Sequence, residues 1–141
     1  MHKQEEILAV WQSHRVRLTK TRQALAQLFA AAPEPLAVAE ILRQLRVSRI
    51  MVNKTTVYRE LERMQQLGII GSVSLGDRRQ YYELALREHH HHLVCLRCER
   101  IEDVDINERD LLAQERSVSQ EKHFSIVRHT LEFFGLCKMC N

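Results

Sequence analysis

Glycine and proline are scarce in this chain, four and two among 141 residues, and so few backbone breakers fit a helix-rich globular protein rather than a disordered tail. No apolar run approaches the roughly 18 residues of a membrane span. Residues 1–6 (MHKQEE) are too polar to open a secretory signal. The expected compartment is therefore the cytoplasm, with no membrane partner. Internal repeats are missing, and the only biased tract is a short run of histidines. A His-Glu-x-x-His motif is also missing, and with it the sequence mark of a zinc hydrolase. No residue is assigned a catalytic role, and an enzyme is not expected.

The chain is 45% hydrophobic and 28% charged, with a net charge of +3 and a pI near 8.8. That mild excess fits a nucleic-acid partner, although the distribution of charge says more than the sum. The length holds one medium domain or two small ones.

Along the chain, Ile7, Leu8 and Trp11 and then Leu25, Leu28 and Phe29 recur at helical spacing on either side of a basic break from His14 to Lys20. Thr19 or Thr21 is placed to cap the second helix. Pro33 and Pro35 end it, lacking amide donors and disfavouring helix before them. A third helix is expected from Ala37 to Leu45. A fourth runs from Lys54 to Leu67, capped by Asn53, with Val57, Leu61 and Met64 inward and Gly68 as its stop. Ile69–Leu75 and Gln80–Leu84 read as two strands around the turn Gly76-Asp77-Arg78-Arg79. Helices followed by a hairpin with a basic tip make a winged helix-turn-helix over residues 1–84. Histidine and cysteine become dense beyond Ala85, which marks residues 85–141 as a second, small α/β domain. There, His92–Leu96, Arg100–Val104 and Phe124–Phe134 read as strands and Asn107–Lys122 as a helix, so the fold class is α+β.

Cys95-x-x-Cys98 and Cys137-x-x-Cys140 have 38 residues between them. Each pair can give two thiolates to a tetrahedral ion from one turn, which suits a structural Zn2+ that holds a marginal lobe together. Unbound thiols or a redox couple are the alternatives, and iron is an alternative metal. His89, His90, His91 and His92 immediately precede the first pair. In a strand they alternate, with His90 and His92 on one face and His89 and His91 on the other. Two mixed nitrogen and oxygen sites become possible, with Glu83, Asp103, Asp110 and His129 as available partners. Such sites suit Fe2+, Mn2+ or Zn2+.

Several of these residues together resemble the ferric uptake regulator family over nearly the whole chain. They are Arg17-Leu18-Thr19 with Arg22, Thr56-Val57-Tyr58-Arg59-x-Leu61, Gly68-Ile69-Ile70 and Tyr82-Glu83-Leu84, followed by the histidine run, both cysteine pairs, His129 and Gly135. The resemblance implies a homodimeric winged-helix repressor of metal homeostasis whose C-terminal lobe dimerises, and in which a regulatory metal fixes a DNA-competent pose. It implies a structural zinc at Cys95, Cys98, Cys137 and Cys140. It implies a regulatory site at Glu83, His90, His92 and Asp103. It further implies an additional site at His89, His91, Asp110 and His129, with His91 where the family often has aspartate. Two positions depart from the family. Glu34-Pro35-Leu36-Ala37 holds no imidazole where the N-terminal lobe usually supplies one, and Glu99 replaces a glycine after the first cysteine pair.

The double-stranded operator, approximately palindromic for a dimer, would meet Lys54, Thr55, Thr56, Tyr58 and Arg59 on the recognition helix. Arg15, Arg17 and Lys20 would reach phosphates or a narrow minor groove, and Arg78 and Arg79 would extend from the wing tip. Tyr58 has a core position as its alternative. The rival reading of the whole is a DNA-binding protein that keeps only the structural zinc and has no metal-gated regulation.

Overall fold

Residues 2–85 and 89–141 are described by the computed structural model. Backbone contacts gather into two units, Met1–Arg87 and Glu88–Asn141. The first contains α1 (His2–Ser13), α2 (Lys20–Ala31), β1 (Leu36–Ala37), α3 (Val38–Val47), α4 (Lys54–Gln66), β2 (Ile70–Val73) and β3 (Tyr81–Leu84). The second contains β4 (His91–Cys95), β5 (Ile101–Val104), α5 (Arg109–Lys122) and β6 (Glu132–Gly135).

Capping and spacing account for the helices of the first unit. Thr19 Oγ1 accepts the Arg22 amide at 3.3 Å to start α2, and Asn53 Oδ1 accepts the Thr56 amide at 2.8 Å to start α4. Each bond satisfies a donor that the first helical turn leaves without a partner. Gly68, at φ 69°, takes the left-handed conformation that ends α4 and turns the chain into β2. The inward positions of α1 to α4 meet in one apolar core that includes Trp11, Phe29, Ile41, Val57, Leu61 and Met64. The wing is a three-stranded antiparallel sheet of order β1-β3-β2. Its third member, β1, pairs Leu36 with Tyr82 and Ala37 with Tyr81. Two residues are too short a stretch to show a period, so this strand is invisible to pattern reading.

The second unit is built on a sheet of order β5-β4-β6, antiparallel on one side of β4 and parallel on the other. The expected strand from Phe124 to Phe134 is shorter than its alternation suggested, since only Glu132–Gly135 is β-structure. Pairing with β4 runs from His92↔Glu132 to Cys95↔Gly135, so the length of β4 limits it. Residues 126–129 instead line a surface hollow with Leu112 and Glu115 of α5. In the single chain α5 buries no residue, and Leu93, Val118, Phe124, Val127, Phe133 and Phe134 all remain exposed. Among the described residues of this unit, the only fully buried ones are His91, His92 and Cys95. Its interior is therefore made of imidazole and sulfur rather than hydrocarbon.

Candidate metal centres and nucleic-acid interface

The two cysteine pairs converge. Cys95 ends β4 beside Gly135 of β6, and the Leu96 amide donates to the Gly135 carbonyl at 2.8 Å. Tight turns then bring the remaining thiols around. Glu99 N donates to Cys95 O at 3.0 Å, and Cys140 N donates to Cys137 O at 2.9 Å. Glu99 stands at φ 61°, so the turn that usually holds glycine is made here by a residue with a side chain. One sulfur from each of the four cysteines lies within 4.8 Å of the others, and Cys98 Sγ is 3.7 Å from Cys137 Sγ. Bonded sulfurs would be about 2.05 Å apart. Four thiolates around one tetrahedral Zn2+ would be about 3.8 Å apart, given a Zn–S distance of about 2.3 Å.

Electrostatics in the thiol cluster point the same way. Backbone amides of Cys98, Cys137 and Arg97 aim at Cys95 and bring its thiol down to about 6, outweighing burial. Cys140 is pushed up to about 12 by the Cys137 thiol first, then by burial and the other sulfurs. One sulfur ionises easily and another resists, because several thiolates cannot share so small a volume without a cation among them. The donor set therefore fits a divalent, thiophilic ion.

The histidines split in two, although His89 and His90 precede β4. His90 and His92 lie together, ring centroids 4.9 Å apart, while His89 and His91 join His129. The β4 register sets Asp103 opposite His92 from one side and Glu132 from the other. Asp103 Oδ1 lies 3.8 Å from His90 Nε2 and 3.9 Å from His92 Nε2, while Glu132 Oε1 lies 3.8 Å from His92 Nδ1. Glu132 was not anticipated, although its register with His92 gives it the same neighbourhood as Asp103. Glu83 sits half-buried on β3, opposite Gly71.

On the other face the expected partner of His89, His91 and His129 is displaced. Asp110 is exposed and stands outside the cluster, and Glu108 takes its place. Residues 108 and 110 are about 200° apart around a helix, so a start to α5 that turns 108 toward the sheet turns 110 away. Glu108 Oε1 meets His89 Nε2 at 3.0 Å and His129 Nε2 at 3.1 Å, and it also contacts His91 Nε2. The contact with His91 comes first among the causes that hold the Glu108 carboxyl at about 2. Burial would lower the pKa of His129, but its bonds to Glu108 and Glu115 outweigh burial and raise it.

The ring nitrogens of this cluster are oriented from behind. His91 Nδ1 lies 3.0 Å from the Leu131 carbonyl, an acceptor only, so that nitrogen carries the proton. His129 Nδ1 lies 2.5 Å from Glu115 Oε1. Both Nε2 atoms then face a carboxylate oxygen with a lone pair, an arrangement that calls for a cation at its centre. Three imidazoles and one carboxylate fit a borderline divalent metal.

In the first unit, α4 turns Val57, Leu61 and Met64 inward, while Lys54, Thr55, Tyr58 and Arg59 remain exposed and Thr56 is half-buried. Tyr58 is 40% exposed, so its core alternative is excluded in favour of a surface position. Lys54 Nζ sits 5.8 Å from the centre of its ring. Arg22, from α2, grips Glu60 of α4 through Nε at 2.7 Å and Nη2 at 3.0 Å, and also donates to the Arg17 carbonyl. The basic loop with Arg15 and Arg17 is thereby tied to α4, and Arg15, Arg17 and Lys20 at the start of α2 are all exposed. In the wing tip Arg79 folds onto Asp77, its backbone amide and Nε each 3.0 Å from the carboxylate, and Tyr81 Oη donates to Asp77 at 2.8 Å. Arg78 beside it is exposed. Leu36 is half-buried against the apolar core.

Comparison with known proteins gives a consistent answer. The sequence model described as the ferric uptake regulator family matches residues 13–134. The ferric uptake regulation protein of Bacillus subtilis is 29% identical over 130 residues, covering 89% of this chain and 85% of that protein. The peroxide-responsive repressor PerR of Staphylococcus aureus is 27% identical over 142 residues, covering 99% and 92%. The structure of the Helicobacter pylori ferric uptake regulator superposes with a TM-score of 0.78 at 22% identity, covering 97% of this chain and 93% of that one. At that identity the superposition speaks for the fold.

Proposed function

Because the chain belongs to the ferric uptake regulator family of metal-responsive transcription regulators, we propose that it is a metal-gated repressor binding an approximately palindromic operator as a homodimer. The exposed row of α4 enters the major groove: Tyr58 is placed for a thymine methyl and Arg59 for a guanine edge or phosphate. Thr55, Thr56 and Lys54 stand beside them at the N-terminal end of the helix. Arg15, Arg17 and Lys20 contact phosphates or the minor groove, and Arg78 and Arg79 extend the contact from the wing. The apolar side chains that α5 and β6 leave exposed become the dimer interface.

Cys95, Cys98, Cys137 and Cys140 would hold a structural Zn2+. His90, His92 and Asp103 would hold the regulatory Fe2+, Mn2+ or Zn2+. His89, His91, Glu108 and His129 would hold an additional ion. The family regulates transcription and is not enzymatic, so the ion's role is to bias shape: it acts only through its differential affinity for the DNA-competent form.

A single observation carries the reading, namely that among the described residues of the second unit the buried ones are His91, His92 and Cys95. The integrity of that unit is thus open to control by metal. One residue favours the rival, a constitutive binder with only the structural zinc, because Leu36 is occupied in packing and brings no donor. A duplex selected from a random pool, titrated with full-length protein whose cysteine-bound zinc is retained, separates the two. Adding Fe2+, Mn2+ or Zn2+ should tighten binding by roughly 5- to 150-fold, the usual span of allosteric coupling. Equal affinity with and without every one of these ions leaves the constitutive binder standing.

A further inference from the structure

We propose that Glu115 is a positioning residue that sets His129 for a zinc-class ion shared by His89, His91, Glu108 and His129. The proposal deepens the reading of this cluster as an additional metal site and rests on it. Glu115 lies seven residues, two helical turns, beyond Glu108, so both carboxylates leave the same face of α5. Glu108 reaches the three Nε2 atoms, whereas Glu115 reaches only the far side of one ring, His129 Nδ1, at 2.5 Å. Both the His129 and Glu115 side chains are largely buried, at 18% and 21% exposure, so the contact is not an incidental surface pair.

A carboxylate on Nδ1 fixes that nitrogen as the protonated one, leaves the Nε2 lone pair toward the centre and makes it a stronger donor. His91 receives the same treatment from the Leu131 carbonyl at 3.0 Å. Two rings of the cluster are thus set in the ligand tautomer by groups that touch no ion themselves. The donor set also selects the ion. Imidazole nitrogen suits zinc and its neighbours, whereas manganese favours carboxylate and water oxygens. Three imidazoles against one carboxylate therefore favour Zn2+ over Mn2+.

The test follows the ring nitrogens of His129 by 1H–15N correlation in full-length protein with its cysteine-bound zinc in place, during titration with Zn2+ against a competing chelator. In the wild type the Nε2 signal should move on binding while Nδ1 stays protonated, and equimolar Mn2+ should not displace the ion. Glu115→Leu should weaken Zn2+ binding at His129 by about 10- to 100-fold, the usual effect of losing such a partner. Glu115→Gln, whose amide oxygen accepts the same proton, should recover most of the loss and keep the tautomer. Wild-type affinity in Glu115→Leu overturns the proposal, as does a Glu115→Gln protein that is no better or whose proton moves to Nε2. Displacement by Mn2+ overturns the choice of ion. A wild-type His129 that ignores Zn2+ altogether overturns instead the reading of the cluster as a metal site. Should Glu115→Leu lose its dispersed C-terminal signals, the tautomer and affinity of Glu115→Gln decide alone.

Discussion

Arg22 joins three pieces of chain with one guanidinium. Two of its nitrogens match the two oxygens of Glu60 and a third holds the Arg17 carbonyl, a fork that lysine cannot reproduce. The pair is largely buried, at 11% and 15% side-chain exposure. Removing one partner therefore leaves a charge in a poor solvent, which commonly costs about 3–5 kcal/mol. Arg22→Ala should lower unfolding stability by about 3 kcal/mol, and Arg22→Lys should recover only a minor part. Urea denaturation of the two variants checks this, and a loss below about 1 kcal/mol would reduce the contact to an ordinary surface ion pair. The family pattern marks Arg22 in the sequence but not Glu60, because a glutamate on a helix carries no sign of its partner 38 positions away.

Among the elements, α3 owes part of its order to its own first turn. Glu40 pairs with Arg43 three residues on, at 2.6 Å to Nη2, and accepts from Gln44 Nε2 at 2.8 Å. The Arg43 bond, and next the Gln44 bond, bring the Glu40 carboxyl from 4.5 down to about 2. A depressed carboxylate stabilises the fold above its unfolded value, and that contribution fades as pH falls through the folded value. The stability difference between wild type and Glu40→Gln should therefore be present from about pH 5 upward and shrink toward pH 2. The side chain is 37% exposed, so the difference is small and screened by salt. A constant difference across that window in urea midpoints would contradict the assignment.

Legibility also divided by element. The long helices were readable because Val57, Leu61 and Met64 repeat at helical spacing, and because Asn53 and Thr19 cap as their chemistry dictates. Elements decided by a partner were not readable. β1 exists only because Tyr81 and Tyr82 lie alongside it, β6 has no β4 partner before Glu132, and Glu108 rather than Asp110 joins the cluster through histidines that are distant in sequence. The four cysteines were legible without help, since Cys-x-x-Cys spacing is a local constraint.

The two units of the whole molecule are stabilised by different means. The first has a continuous hydrocarbon core with Trp11, the chain's one tryptophan, at 1% exposure. Among its described residues the second has no comparable core in the single chain, and those it buries are nitrogen and sulfur donors. About 54 residues, Glu88–Asn141, are close to the size at which a domain needs metal or oligomerisation to stay folded. Removing the ion from the cysteine centre should therefore act on one unit alone. A strong chelator is expected to collapse the amide dispersion of residues 89–141 and to dissociate the proposed dimer, while Trp11 fluorescence keeps its buried emission and the signals of α1 to α4 persist. Cys98→Ser should reproduce the effect, because three thiolates and a hydroxyl hold zinc far less well than four thiolates. A zinc-stripped protein that kept both sets of signals would mean that the second unit draws its stability from the apolar side chains of α5 and β6. Association through those side chains, rather than the ion, would then hold it together.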